Sequence, residues 1–238
     1  MRSVAIDIGN TRIKSALFDK GQLVECAYFH HMNLKALADW LLRVSPSRLI
    51  ISSTAEKSIS IDHLLPSNAY VLHLNCNTPL SIKNDYQAET LGQDRMANAV
   101  AGYLFNKKAS LVIDLGTCIT YDWTVKGVYL GGSISPGLHM RLKSMNEFTG
   151  RLPLVEDITQ GEIIGKNTEE SLLSGVLFGI QYELSGIISV FEERFPGGSV
   201  LFTGGDSLFF ADTIENHIFA DPFLTLKGLE GILEFNNA

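Results

Sequence analysis

The chain has 238 residues, of which 45% are hydrophobic and 19% charged, with a formal net charge of −7. This is enough apolar material for one large or two small packed domains, and it excludes a disordered chain. The negative balance argues against non-specific binding of nucleic acid or an anionic membrane, and an anionic substrate would need local positive charge or a metal.

The first predicted strand covers residues 2–7, whose apolar run Val4-Ala5-Ile6 stops at Asp7. Alternation predicts two more strands at 11–18 and 22–29, joined by the turn Asp19-Lys20-Gly21. Asn33 is placed to cap a helix in which Leu34, Leu37, Ala38, Leu41 and Val44 recur at helical spacing until Pro46. A short buried strand follows at 48–52, then a weaker helix at 56–65, a strand at 70–74 and a helix at 90–105. Residues 110–134 repeat the opening: buried strand, Asp-x-Gly turn, strand, Lys-Gly turn, strand. Helices are expected at 138–149 and 169–195, the second carrying the stripe Leu172, Leu173, Val176, Leu177, Ile180, Leu184, Ile187 and Phe191. A strand over 199–205 runs into a glycine turn, and a helix covers 224–235. A βββαβα order therefore occurs about twice, with Ile6-Asp7-Ile8-Gly9 answered by Ile113-Asp114-Leu115-Gly116.

Cys26, Cys76 and Cys118 are scattered, with no Cys-x-x-Cys pair, so neither a zinc site nor a disulfide scaffold is expected. The apolar stretch before Asp7 is too short for a signal-peptide core, and no run reaches the ~20 apolar residues of a membrane span. The expectation is a cytoplasmic protein with no membrane or nucleic-acid partner. His30-His31 and the other histidines have no metal-ligand spacing. Ser133 and Ser135 have no histidine and acid placed to activate them.

Two Asp-x-Gly turns suit a nucleotide triphosphate. Gly9 lets the backbone turn tightly, and the turn offers amides, the Thr11 hydroxyl and the Lys14 cation to phosphates; the same stretch also reads as a plain hairpin. Thr117 and Thr120 play the corresponding part in the second turn, and Asp7 and Asp114 can organise cations near the oxygens. Thr203-Gly204-Gly205-Asp206 either admits a flat ring or ribose, or simply starts a helix. Asp94 beside Arg95, at a helix start, can act as base toward a hydroxyl while Arg95 holds an anionic acceptor. The alternative is a capping acid with a solvated arginine.

The ordered set Asp7-x-Gly9-Asn10-Thr11-x-x-Lys14, Gly92-x-Asp94-Arg95, Asp114-x-Gly116-Thr117-x-x-Thr120-x-Asp122 and Gly131-Gly132-x-Ile134-x-Pro136-Gly137 resembles the type III pantothenate kinases over nearly the whole chain. The resemblance implies an α/β fold of the acetate and sugar kinase, heat-shock chaperone and actin superfamily. Two ribonuclease-H-like (actin-like ATPase) βββαβα domains, 1–109 and 110–238, would flank a nucleotide cleft. It implies that Asp7, Ile8, Gly9, Asn10, Thr11, Arg12, Ile13 and Lys14 bind ATP phosphates, with Thr117 also on ATP. Asp94 would be the base for the pantothenate hydroxyl, with Tyr86, Gly92, Gln93, Asp94, Arg95 and Thr168 contacting that substrate. Asp114 would hold a monovalent cation, K+ or NH4+; Mg2+ would accompany ATP; and the enzyme would be a homodimer. Two positions depart from the family pattern. Cys118 and Gln93 stand where alanine is usual, and Gln93 is expected to point outward. A superfamily kinase acting on another small alcohol or acid, and a nucleotide-binding accessory protein, are the competing readings.

Overall fold

Ser3 through Ile8 are buried at every position, which is what a strand flanked on both sides and covered on both faces requires. In the computed structural model, which describes residues 1–54, 59–158, 161–214 and 218–237, these residues form β1 (Arg2–Ile8). β1 pairs antiparallel with β2 (Ile13–Asp19), which pairs antiparallel with β3 (Gln22–Phe29). After α1 (Leu34–Val44), β4 (Arg48–Ser53) returns parallel to β1, and β5 (Tyr70–His73) lies parallel to β4. The first sheet thus has the order β3-β2-β1-β4-β5. The two-residue β6 (Lys83–Asn84) and α2 (Gln93–Phe105) follow.

β7 (Ala109–Leu115), β8 (Cys118–Val125) and β9 (Val128–Pro136) then repeat the opening meander. After α3 (Leu138–Glu147) and α4 (Thr168–Arg194), β10 (Ser199–Thr203) lies parallel to β7. α5 (Ser207–Ala211), β11 (Ile218–Ala220), parallel to β10, and α6 (Leu224–Phe235) complete the chain. The second sheet reads β9-β8-β7-β10-β11, the same order as the first, with β6 pairing alongside Val128 and Tyr129 of β9. The duplication expected from the element order is therefore present in the strand order. The same turn closes the same hairpin in each copy: Lys20 and Gly21 have φ of 51° and 73°, Lys126 and Gly127 49° and 75°. Positive φ at both central positions is the geometry whose twist suits a tight hairpin, and glycine accepts it without cost to a Cβ.

Packing divides the chain into two compact units. One comprises Met1–Lys107, Thr124–Gly131 and Phe223–Ala238, the other Lys108–Trp123 and Gly132–Pro222. The first packed unit thus takes in the β8–β9 hairpin at Thr124–Gly131 and the last helix besides the opening segment. In this unit α1 covers one face of the sheet, where Leu37, Trp40 and Leu41 meet Val4, Ile6 and Ile8. α2 and α6 cover the other, where Met96, Ala97, Val100, Leu229 and Ile232 meet Ala5, Ala16 and Ile50. The two helices touch backbone to backbone. A Cβ on Gly228 would run into the Ala97 carbonyl, 2.6 Å from its carbon, and Thr225 Oγ1 donates to Asn98 Oδ1 at 2.8 Å.

In the second unit, α4 is the one helix among the described residues long and apolar enough, by length and composition, to cross a membrane, where the sequence reading expects none. Of its stripe, Leu172, Val176, Leu177, Ile180, Leu184 and Phe191 are buried and Leu173 and Ile187 half-buried, and Trp123 packs edge-on against Phe191 at 5.5 Å. That burial accounts for it as a core helix. The helix expected at 56–65 is reduced to a single 3₁₀ turn at Asp62–Leu64, with residues 56–58 outside those described. The strand expected at 11–18 starts at Ile13, because residues 9–12 form its turn. β6, α5 and β11 are too short to leave a periodic signal.

Gly228→Ala is expected to lower unfolding stability by about 1–3 kcal/mol through overpacking. Gly186→Ala in α4, where nothing lies within 4 Å of the added carbon, should be neutral or raise stability by up to roughly 1 kcal/mol. Urea denaturation of both variants checks the contrast.

Candidate active site

The first Asp-x-Gly turn is a hairpin in which Ile8 and Ile13 are the last paired residues and the Gly9 N–H donates to the Arg12 carbonyl at 3.2 Å. The plain-hairpin geometry thus holds, and the same hairpin exposes Asn10, Thr11 and Arg12. Arg12 lies over the Tyr28 ring, 4.7 Å from its centre. Immediately behind the turn, Asp7 and Lys14 are cross-strand partners. Asp7 is buried, and Ser52, its parallel-strand partner on β4, donates to its Oδ1 at 2.8 Å. Burial raises the Asp7 carboxyl above the usual carboxylate range; Lys14 and Ser52 pull it back, and the nearby Asp94 charge pushes it further up.

Asp94 sits in the first turn of α2, after Gly92 as N-cap. Its Oδ1 accepts from the Arg95 N–H at 2.8 Å. Any residue larger than glycine at 92 would put a Cβ 2.5 Å from that same oxygen. Burial raises the Asp94 carboxyl, opposed by the Arg95 amide and charge and by Lys14. Asp7, Lys14 and Asp94 therefore form one electrostatic cluster inside the first unit.

Arg95 is buried rather than solvated, its guanidinium 5.7 Å from the centre of the Tyr86 ring. Tyr86 leans on Tyr129 with ring centres 6.2 Å apart. It also closes on Gly131, whose φ is 103° and whose added Cβ would stand 3.2 Å from Tyr86 Cδ2. The expectation that Gln93 points outward is corrected: its Oε1 accepts from the Ser53 N–H at 2.7 Å. This satisfies a backbone donor at the end of β4 and fastens the start of α2 there.

In the second unit, Asp114 ends β7 in parallel register with Thr203 of β10, as Asp7 is with Ser52. The Thr203 hydroxyl is buried and has no hydrogen-bond partner among the described residues. Gly204, at φ 93°, stands against Asp114: an added Cβ would run into Asp114 Oδ1 and the Leu115 carbonyl. The Asp206 N–H donates to the Leu115 carbonyl at 3.0 Å and the Gly137 N–H to the Thr117 carbonyl at 3.1 Å. Thr203–Asp206 thus clasps the second Asp-x-Gly turn, and it also starts α5, with Ser207 Oγ donating to the Gly204 carbonyl at 2.8 Å. Burial raises the Asp206 carboxyl, partly offset by His139.

Thr117 is exposed on its turn. Thr120, expected to offer a free hydroxyl, is instead buried and donates to Asp122 Oδ2 at 3.2 Å. Thr168 opens α4 behind the cap Asn167, whose Oδ1 accepts from the Glu170 N–H at 2.9 Å. It lies in an open depression with Arg151, Pro153 and Glu169. The structure thus gathers Asp7, Lys14, Tyr86, Gly92, Gln93, Asp94 and Arg95 in the first unit, and Asp114, Thr117 and Thr168 belong to the second. Sequence reasoning did not single out Ser52 and Ser53, and it read Thr203 only as the start of a glycine turn. The available signal was a buried strand ending in hydroxyl residues, in "LIISS" and "VLFT".

Among the described residues, no three or more of His, Cys, Asp and Glu converge as a metal site. A divalent ion here would be held largely by a ligand's own phosphates, as Mg2+ commonly is.

A family model described as type III pantothenate kinase matches residues 3–190. The type III pantothenate kinase of Bacteroides fragilis is 43% identical over 99% of this chain and 98% of that protein. Among solved structures, a protein from Campylobacter jejuni described as a Baf-family transcriptional activator superposes with a TM-score of 0.64 at 21% identity, covering 98% of each chain. The activator of 2-hydroxyisocaproyl-CoA dehydratase from Clostridium difficile, solved with ADPNP, gives 0.57 at 12% identity, covering 100% of this chain and 96% of that one. At such identities these likenesses concern the fold alone.

Because burial raises the Asp94 carboxyl, folding favours its protonated form. That contribution is complete below its unfolded pKa and is lost as pH rises through the raised folded value. Asp94→Asn removes the loss. Its melting temperature at pH 7.5 should match or exceed the parent's, by up to roughly 2–4 °C. The gap should close below about pH 4 in a thermal-shift series.

Proposed function

This chain belongs to the type III pantothenate kinase family, and from that premise we propose that it transfers the γ-phosphoryl group of ATP to the primary hydroxyl of pantothenate, giving 4′-phosphopantothenate in the first step of coenzyme A synthesis. The observation that carries the reading is the cluster of Lys14, Asp7 and Asp94. A cation stands at the phosphate turn, and a carboxylate of raised proton affinity sits within its electrostatic reach.

In this reading the hairpin from Asp7 to Lys14 binds the ATP phosphates, and Thr117 is also an ATP contact. Asp94 orients the hydroxyl of pantothenate and takes its proton as the oxygen attacks the γ-phosphorus and the bond to the β-phosphate oxygen breaks. A raised pKa suits that role, since a base works best when its proton affinity approaches the operating pH. Arg95, held against Tyr86, meets the carboxylate of pantothenate, and Gly92, Gln93 and Thr168 complete the substrate contacts. Gln93 acts through its backbone, because its side-chain oxygen already serves Ser53.

Asp114 would hold a monovalent cation, K+ or NH4+. The donor chemistry fits an oxygen-bound ion: a carboxylate, with a buried unpartnered Thr203 hydroxyl in register with it. That cation, and Mg2+ arriving with ATP, supply neutralisation of the phosphate charge. The reading includes a cytoplasmic homodimer whose duplicated halves are 1–109 and 110–238.

A coupled ADP-release assay tests the reading. Turnover is expected with pantothenate and not with acetate or glucose, with a sharp loss in sodium-only buffer. Asp94→Asn should retain ATP binding and lose at least about 100-fold in kcat. ATP binding without pantothenate-dependent ADP release would reject it in favour of an accessory nucleotide-binding role.

A further inference from the structure

α4 carries no charged residue between Glu170 and Glu192 except Glu183, and this one carboxylate gathers three elements of the second unit. Its Oε1 accepts from the Tyr121 hydroxyl on β8 at 2.6 Å and from Ser135 Oγ on β9. Its Oε2 pairs with Arg141 of α3. Arg141 in turn donates through Nε to the Pro136 carbonyl at 2.8 Å and reaches Ser135 Oγ at 3.4 Å. A half-buried carboxylate on an apolar helix is costly unless paired and hydrogen-bonded, and here it is both. Burial alone would raise Glu183, but the bonds from Ser135, Tyr121 and Arg141 outweigh it and hold the carboxyl below its usual range. Tyr121 is pushed up by burial and by Glu183, so it stays a donor.

The bracket ends at the second Asp-x-Gly turn. Pro136 leads into Gly137, whose N–H donates to the Thr117 carbonyl at 3.1 Å. Gly137 lies so close that an added Cβ would run into the Gly116 carbonyl and stand 2.7 Å from that of Thr117. The path of Gly116–Thr117 is therefore moulded on Gly137, and Gly137 is set by the bend that Glu183 and Arg141 fasten.

We propose that Glu183 is a positioning residue for the nucleotide- and cation-binding turn at Gly116–Thr117, acting through Arg141, Ser135 and the Pro136-Gly137 bend without touching substrate. This rests on the kinase reading above. Removing the charge should loosen the turn and weaken nucleotide binding while leaving the pantothenate contacts of the first unit intact.

The test is calorimetric titration of the full-length protein with a non-hydrolysable ATP analogue, and separately with pantothenate, in potassium buffer. Glu183→Gln is expected to weaken nucleotide binding about tenfold, the scale of one charge-assisted hydrogen bond, with pantothenate binding changed less than twofold. Tyr121→Phe, which leaves the Arg141 pair in place, should shift nucleotide binding in the same direction by a smaller factor, and it serves if Glu183→Gln does not fold. A lower melting temperature with unchanged nucleotide affinity in the folded variants would overturn the proposal and leave the kinase reading standing. A parent protein that binds no nucleotide would overturn both.

Discussion

The architecture depends on a carboxylate held at the end of a buried central strand. β1 and β7 are each flanked on both sides and apolar up to their last turn of strand, and each delivers an aspartate where the backbone leaves the sheet. An ionised group in that position is tolerated only if its surroundings supply hydrogen bonds or a cation. Ser52 and Lys14 do this for Asp7. Beside Asp114, Gly204 comes so close that an added Cβ would run into the Asp114 carboxylate. The same strand end has thus been furnished in two ways, with a lysine and a hydroxyl at Asp7 and with a closely approaching glycine at Asp114.

The chemistry follows from where the second acid comes from. Asp94 is not on a strand. It is carried at the start of α2, a helix fixed at one end by Gln93 to β4 and along its length by α6. β4 therefore sets both acids: Ser52 bonds Asp7 directly, and Ser53 anchors the turn that bears Asp94. In the proposed reaction, these two adjacent residues at one strand end would fix the spacing between the phosphate-binding turn and the proton acceptor. Such spacing matters because misplacement by about an ångström can cost orders of magnitude in rate.

The duplicated meanders, the long helices and the glycine turns were legible in the sequence because each rests on a local signal: alternation, a 3.6-residue period, or a Lys-Gly pair. The short elements β6, α5 and β11 were not legible: α5 is too short to show a helical period, and β6 and β11 are defined by pairing with β9 and β10. Among site residues, the charged and glycine positions stood out as interruptions of apolar runs. Ser52 did not, and Thr203 was read only as part of a glycine turn, since a hydroxyl at the end of a buried strand looks like any other strand terminus until its parallel neighbour is known. Gln93 and Thr120 were misjudged for a related reason. Their partners, Ser53 and Asp122, satisfy them inside the protein, and nothing in a one-dimensional pattern distinguishes a satisfied polar group from one waiting for a ligand.

The return of α6 to α2 bears on biosynthesis. The amino-terminal unit is built from both ends of the polypeptide, and Leu226, Leu229, Ile232 and Leu233 fill a core whose other wall is made more than a hundred residues earlier. A nascent chain on the ribosome therefore holds that wall uncovered until α6 has been made, exposing an apolar surface of the kind chaperones engage. The second unit, contained between Lys108 and Pro222, has no such delay and can finish folding first.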